Sequence, residues 1–227
     1  MSNIGTLRER GLHAGIKEWY GRASDQFEMP VDGYVVDIVR GARLIEIQTG
    51  NFTALKSKLG RLLENHPIHL LYPVAQEKWI VRETAVGHPL SRRKSPKRGQ
   101  VVDVFDELVH IPHLLTHPNL SMGVLLTQQE EIWRDDGRGS WRRKRWSIHD
   151  RRLLAVSEEV IFTQPSDFLA LFPVDLPHPF TNKQLAQTLT IRPHLAQRLT
   201  YTLRHCDVLT AVGKDGSSHL YDFNGGR

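Results

Sequence analysis

The feature that most constrains this chain is the run YVVDIVRGARLIEIQ, residues 34–48. Its two halves are rich in β-branched and aliphatic residues and flank a Gly-containing turn, which is a hairpin signal. Each half nevertheless holds one acid, Asp37 and Glu46. Taking Arg40-Gly41 as a two-residue turn pairs Val39 with Ala42, Asp37 with Leu44 and Val35 with Glu46. The two acids are then diagonal neighbours on one face. A slip of one residue would put them on opposite faces. Two carboxylates set among Val, Leu and Ile repel each other, and burial opposes the charge on both. A divalent cation relieves both costs, and Mg²⁺ favours one or two carboxylates together with waters and a substrate phosphate. Gln48 lies two residues past Glu46, so it points to the same face and can orient a water there.

The neighbouring segments place this hairpin. A helix is expected over Leu7–Tyr20, with Leu12, Ile16, Trp19 and Tyr20 on one face. Glu9 falls on that same face, and a carboxylate on a buried helix face needs a partner. After the hairpin, Phe52, Leu55, Leu59, Leu62 and Leu63 form the stripe of a second helix, stopped by Pro67. IHLLY (68–72) reads as a strand buried on both faces, and KWIVR (78–82) as another. Helix, three strands, helix, strand makes the class α/β or α+β.

This order, with Asp37 on one strand and Glu46-Ile47-Gln48 on the next, resembles the PD-(D/E)xK nuclease superfamily over about residues 6–82. Many restriction endonucleases and archaeal Holliday-junction resolvases have this fold. The resemblance implies a restriction-endonuclease-like mixed sheet flanked by helices. It also implies Mg²⁺- or Mn²⁺-dependent hydrolysis of DNA phosphodiester bonds. Asp37 and Glu46 would hold the metal, with the Ile47 carbonyl as a further ligand. Glu9 would match an acid that some members carry on the first helix. Most active members have lysine where this chain has Gln48. In some, a lysine comes from the neighbouring helix, and here Lys56 lies at the edge of the apolar stripe. Cutting duplex DNA with this fold commonly calls for a homodimer. The alternative is a catalytically inactive DNA-binding protein that keeps the scaffold.

Composition and element order divide the 227 residues into three expected parts: a core over 1–87, a basic β-rich extension over 88–175, and a C-terminal module over 176–227. Net charge is +5, and its clustering points to a polyanion partner, DNA. Residues 88–100 read as a linker or loop rich in Pro, Gly, Ser and base. EEIWRDDGRGSWRRKRWSI (130–148) reads as a β-ribbon with a basic tip, Arg142, Arg143, Lys144 and Arg145 being the phosphate contacts. Near the C-terminus, Thr181 and Gln184 form a capping box, and Pro193 opens a second helix. Helix, tight turn, helix and hairpin over 178–223 resemble a winged helix-turn-helix domain. By that resemblance the module over 176–227 is a DNA-binding domain, and His194, Gln197, Arg198, Tyr201, Arg204 and Lys214 contact DNA.

Other classes are excluded. No apolar run approaches the roughly 20 residues of a membrane span, so no membrane partner is expected. The first residues carry no apolar signal region, and the single cysteine, Cys206, forms no internal disulfide, which together suggest the cytoplasm. His110, His113 and His117 sit among Pro112 and Pro118 and read as a loop. No phosphate-binding glycine loop or nucleophile elbow is present.

Overall fold

A computed structural model of the chain describes residues 11–139, 141 and 146–225. Glu9, Arg142, Arg143, Lys144 and Arg145 lie outside the described residues.

Helix α1 (Gly11–Tyr20) buries Leu12 and Ile16 against one face of a sheet, where they meet Ile38, Ile45, Ile47, Leu71 and Leu125. Strands β1 (Gln26–Val31), β2 (Tyr34–Arg40) and β3 (Arg43–Ile47) form an antiparallel meander. Helix α2 (Phe52–Leu63) then crosses over, and β4 (Ile68–Glu83) returns parallel to β3. The α2 stripe packs on the other face of the sheet, with Leu44, Ile68 and Leu70. Strand β6 (Leu120–Arg134) runs parallel to β4 along its whole length, and β7 (Ser147–Phe162) closes the far edge antiparallel to β6. Among the described residues the order is β1-β2-β3-β4-β6-β7.

The expected break at residue 87 is corrected here, because β4 and β6 join residues on either side of it in one sheet. The expected linker is corrected too. Residues Pro89–Lys94 form strand β5, paired antiparallel with Trp79–Glu83 of β4. Strand β3 covers only Ile68–Leu71 of β4, so among the described residues the β4 edge between those stretches has no strand partner. Pro73 stands in that gap. It has the parity of Leu71, whose carbonyl accepts from the Gln48 N–H at 2.9 Å, so the N–H that proline lacks interrupts no ladder.

A short helix, α3 (Phe105–Leu108), and a 3₁₀ segment, Pro165–Leu171, pack on the α2 side. The chain ends in β8 (Phe180–Thr181), α4 (Asn182–Thr188), α5 (Pro193–Arg204), β9 (Leu209–Asp215) and β10 (Ser218–Phe223), with sheet order β8-β10-β9. The Thr181/Gln184 capping box forms at the start of α4. One apolar cluster runs from Phe52 and Leu59 through Phe105 and Phe168 to Leu195, Leu199 and Leu203. The C-terminal module therefore shares its core with the sheet. Calorimetry should give one cooperative transition, with equal van't Hoff and calorimetric enthalpies. Two resolved transitions would show that the module folds on its own.

Candidate active site

Strands β2 and β3 pair only from Arg40↔Arg43 to Ile38↔Ile45. The turn is Gly41-Ala42, one residue later than the sequence suggests, and Gly41 takes φ 59° there. One further step of this register sets Asp37 directly opposite Glu46, in place of the expected diagonal. At that step the strands part. Val36 joins the α2-side cluster and Ile38 the α1-side cluster, so β2 rotates between them and turns Asp37 toward β3.

Asp37 Oδ2 accepts the Ile47 backbone N–H at 2.8 Å and lies 3.2 Å from His13 Nε2 on α1. Burial raises its pKa, but the His13 hydrogen bond and charge, the Ile47 N–H and the Lys58 charge outweigh burial, and the net shift is downward. Asp37 is therefore a carboxylate at neutral pH.

Glu46 is 3% exposed. Its Oε2 accepts from Lys58 Nζ at 2.6 Å, and the same ammonium donates to the Val35 carbonyl at 2.6 Å. Its Oε1 is buried and has no hydrogen-bond partner among the described residues. Burial, with the Asp37 charge added, pushes the Glu46 pKa up to about 7 against the opposing pull of Lys58 and His13. A buried carboxylate oxygen left without a donor is costly, and a cation satisfies it. The donor set of Asp37, Glu46 and a main-chain carbonyl suits a hard divalent ion that keeps several waters. Among the described residues, no group of three or more His, Cys, Asp or Glu side chains forms a metal cluster.

The two remaining expectations for this site are corrected. Lys56 is exposed on α2, while Lys58, on the other flank of the apolar stripe, reaches Glu46. The Gln48 amide turns to the Gly50 and Asn51 carbonyls and closes the β3–α2 loop. Asn51, at φ 59°, gives α2 no side-chain cap, and Glu107 of α3 supplies one by accepting the Phe52 N–H at 2.9 Å. Lys58 is thus positioned by a helix whose first turn is held from outside. The sequence reading missed both Lys58 and His13.

At the C-terminal module, His194, Gln197, Tyr201, Arg204 and Lys214 are exposed. Tyr201 lies against His205 at 4.2 Å, and the Arg204 guanidinium stands 6.0 Å over the Tyr221 ring. Arg198 is corrected: its guanidinium donates to the Asp106 carbonyl at 2.8 Å and to Asp106 Oδ1 at 3.0 Å. Arg192 donates to Asp106 Oδ2 at 2.8 Å. These arginines fasten α5 to α3, Arg198 half-buried and Arg192 still exposed. Asp106→Ala should lower stability by about 1 kcal/mol, a modest value because the pair is partly exposed. Hydrogen exchange of α5 amides should rise, and unchanged protection would remove the fastening role. Between β6 and β7, Trp141 is exposed and Trp146 lies under Arg82 at 5.2 Å, while the expected basic tip falls outside the described residues.

Fold and site together define a mixed α/β protein whose central sheet opens around a carboxylate pair. The chain belongs to the family described as Domain of unknown function (DUF8091), whose match spans residues 10–163. That span takes in α1 and all of the large sheet. An "Uncharacterized protein" of Treponema pallidum (strain Nichols) is 32% identical over 219 residues, covering 96% of this chain and 86% of the relative. No solved structure matches the chain. Among the described residues, no helix is long and apolar enough to cross a membrane.

Proposed function

We propose that this protein is a divalent-cation-dependent DNA endonuclease that hydrolyses phosphodiester bonds, with a winged-helix module guiding it to DNA. The observation that carries this reading is Glu46. It is buried beside a second carboxylate, bonded by Lys58 through one oxygen and, among the described residues, without a partner at the other. The order of elements supports it: a three-stranded meander with a helix before it, then a crossover helix to a strand parallel to the third. That order resembles the PD-(D/E)xK core. A 3₁₀ segment, strand, two helices and a hairpin likewise resemble a winged helix. The same reading expects a homodimer for duplex cutting and a cytoplasmic setting.

Asp37, Glu46 and the Ile47 carbonyl would hold Mg²⁺ or Mn²⁺. When bound, the ion supplies charge neutralisation at the scissile phosphate and a more acidic water. Asp37 stays ionised through the Ile47 N–H and His13. Lys58 favours the ionised form of Glu46 and sets a fixed positive charge beside the site, where negative charge builds on phosphorus. Lys58 thereby takes the role that Gln48 cannot fill, since glutamine brings no charge.

A second reading, an inactive DNA-binding scaffold, is favoured by Gln48, whose amide is engaged by its own loop. Supercoiled plasmid separates the two. Wild type should nick it in Mg²⁺ or Mn²⁺ and not in chelator. Asp37→Ala should lose nicking while keeping DNA affinity within a few-fold. Metal-independent nicking, or nicking that survives Asp37→Ala, would overturn the proposal. Binding without any nicking would leave the scaffold reading.

A further inference from the structure

The stretch of β4 beyond β3, where the Gly99 N–H donates to the Ala75 carbonyl at 2.9 Å, borders a cleft of about 250 Å³. It begins beside the candidate active site. Thr49, on its wall, is two residues past Ile47, which holds Asp37, and Leu12, also on its wall, precedes His13. Tyr72 and Pro73 form another side, and the Tyr72 ring is held edge-on by Phe52 at 5.4 Å. Gly99 closes over the strand so tightly that a Cβ there would lie 2.7 Å from the Ala75 carbonyl oxygen.

The charges are arranged unevenly. Three carboxylates line the cleft, and each is already engaged by the protein. Asp106 takes Arg192 and Arg198, and Asp103 takes the Gln100 N–H. Glu131 takes Lys78 at 3.0 Å and the Trp133 indole N–H at 2.7 Å, with Arg151 at 3.6 Å. Lys97, exposed at the rim, is paired with no carboxylate among the described residues. The cleft thus offers an unengaged cation, the Thr49 hydroxyl and a ring wall, in a space suited to one nucleotide and too small for a base pair.

Building on the nuclease reading, we infer that this cleft receives one unpaired nucleotide next to the scissile phosphate, so that the preferred substrate carries a single-stranded end or flap. Lys97 and Thr49 take the phosphate of that nucleotide, and its base lies on Tyr72 and Pro73. Aromatic walls accept any base face without reading sequence. An unpaired nucleotide avoids the unstacking that a paired one requires.

The test compares a blunt duplex with the same duplex bearing a short single-stranded tail. Affinity is read by fluorescence anisotropy in chelator, and cleavage in Mn²⁺. Thymidine 5′-monophosphate serves as a small probe, by its shift of the melting temperature in chelator. Wild type should favour the tailed duplex about tenfold, as one charge-assisted phosphate contact allows. Lys97→Ala and the near-isosteric Thr49→Val should bring that ratio close to one. The mononucleotide shift should vanish in Lys97→Ala. No tail preference in wild type, or a mononucleotide shift that persists in both variants, overturns the inference. A Lys97-dependent tail preference in binding, without cleavage of any substrate, upholds the cleft and removes the nuclease reading alone.

Discussion

Glu46→Gln should abolish Mn²⁺-dependent cleavage and at the same time make the protein more stable at pH 8. On the proposed function, the loss of turnover follows from removing one of the two carboxylates proposed to hold the ion, and should reach about a thousandfold or more. The gain in stability follows from burial. The Glu46 pKa is raised from 4.5 to about 7 in the fold. A carboxyl with a raised folded pKa contributes stability that is complete below its unfolded value. That contribution is lost as pH rises from 4.5 through about 7. Above that window the ionised, buried side chain costs on the order of 2–3 kcal/mol. A neutral amide of the same shape avoids the cost, so the variant should melt roughly 5 °C higher at pH 8 and near the wild-type temperature at pH 4.

Asp37 works in the opposite sense. Its lowered pKa contributes stability that is present above its ordinary value of 3.8 and lost as pH falls through the folded value. Saturating Mn²⁺ should raise the wild-type melting temperature at pH 8, and far less at pH 6, because the ion must displace the Glu46 proton. Glu46→Gln should lose most of that response. A variant less stable than wild type at pH 8, or one with an unchanged Mn²⁺ response, would show that Glu46 is an ordinary buried ion-pair partner of Lys58.

The convergence of Asp37 and Glu46 was legible in the sequence because side-chain parity along a strand survives a small error in the turn. Moving the turn from Arg40-Gly41 to Gly41-Ala42 shifts the register by two residues and so keeps strand parity up to Ile38, after which β2 rotates and Asp37 meets His13 of α1 while Glu46 meets Lys58 of α2. The choice between Lys56 and Lys58 was not legible. Both flank the apolar stripe of α2, on opposite sides. Which flank meets β2 depends on how the β3–α2–β4 crossover wraps over the sheet, and helical periodicity carries no such information. The basic run at 91–98 hid a strand for a related reason. Arg92, Arg93 and Lys94 have no apolar alternation, and their pairing is supplied by the β4 edge that β3 leaves bare. Local composition could not show an edge created by a strand that stops early. The Asp106 fastening of Arg192 and Arg198 likewise joins residues far apart in sequence, so α5 looked free when it was read alone.

Lys58 is the residue on which catalysis and mere packing make the most different forecasts. Lys58→Met should lower cleavage about a hundredfold, the scale of removing one fixed positive or hydrogen-bonding group from a charged transition state. Lys58→Arg should recover part of the loss, because the charge is kept while the geometry changes. Lys56→Ala, on the exposed flank, should cleave within about twofold of wild type. The pH profile separates the roles. The Lys58 charge and hydrogen bond both lower the Glu46 pKa, so their removal should push it above 7. The acidic limb of the cleavage profile should then move to higher pH in Lys58→Met. A lysine that only tied α2 to the Val35 carbonyl would cost stability in both variants and leave that limb in place. Full activity in Lys58→Met would remove this lysine from the chemistry, and loss of activity in Lys56→Ala would return the role to the residue that the sequence first suggested.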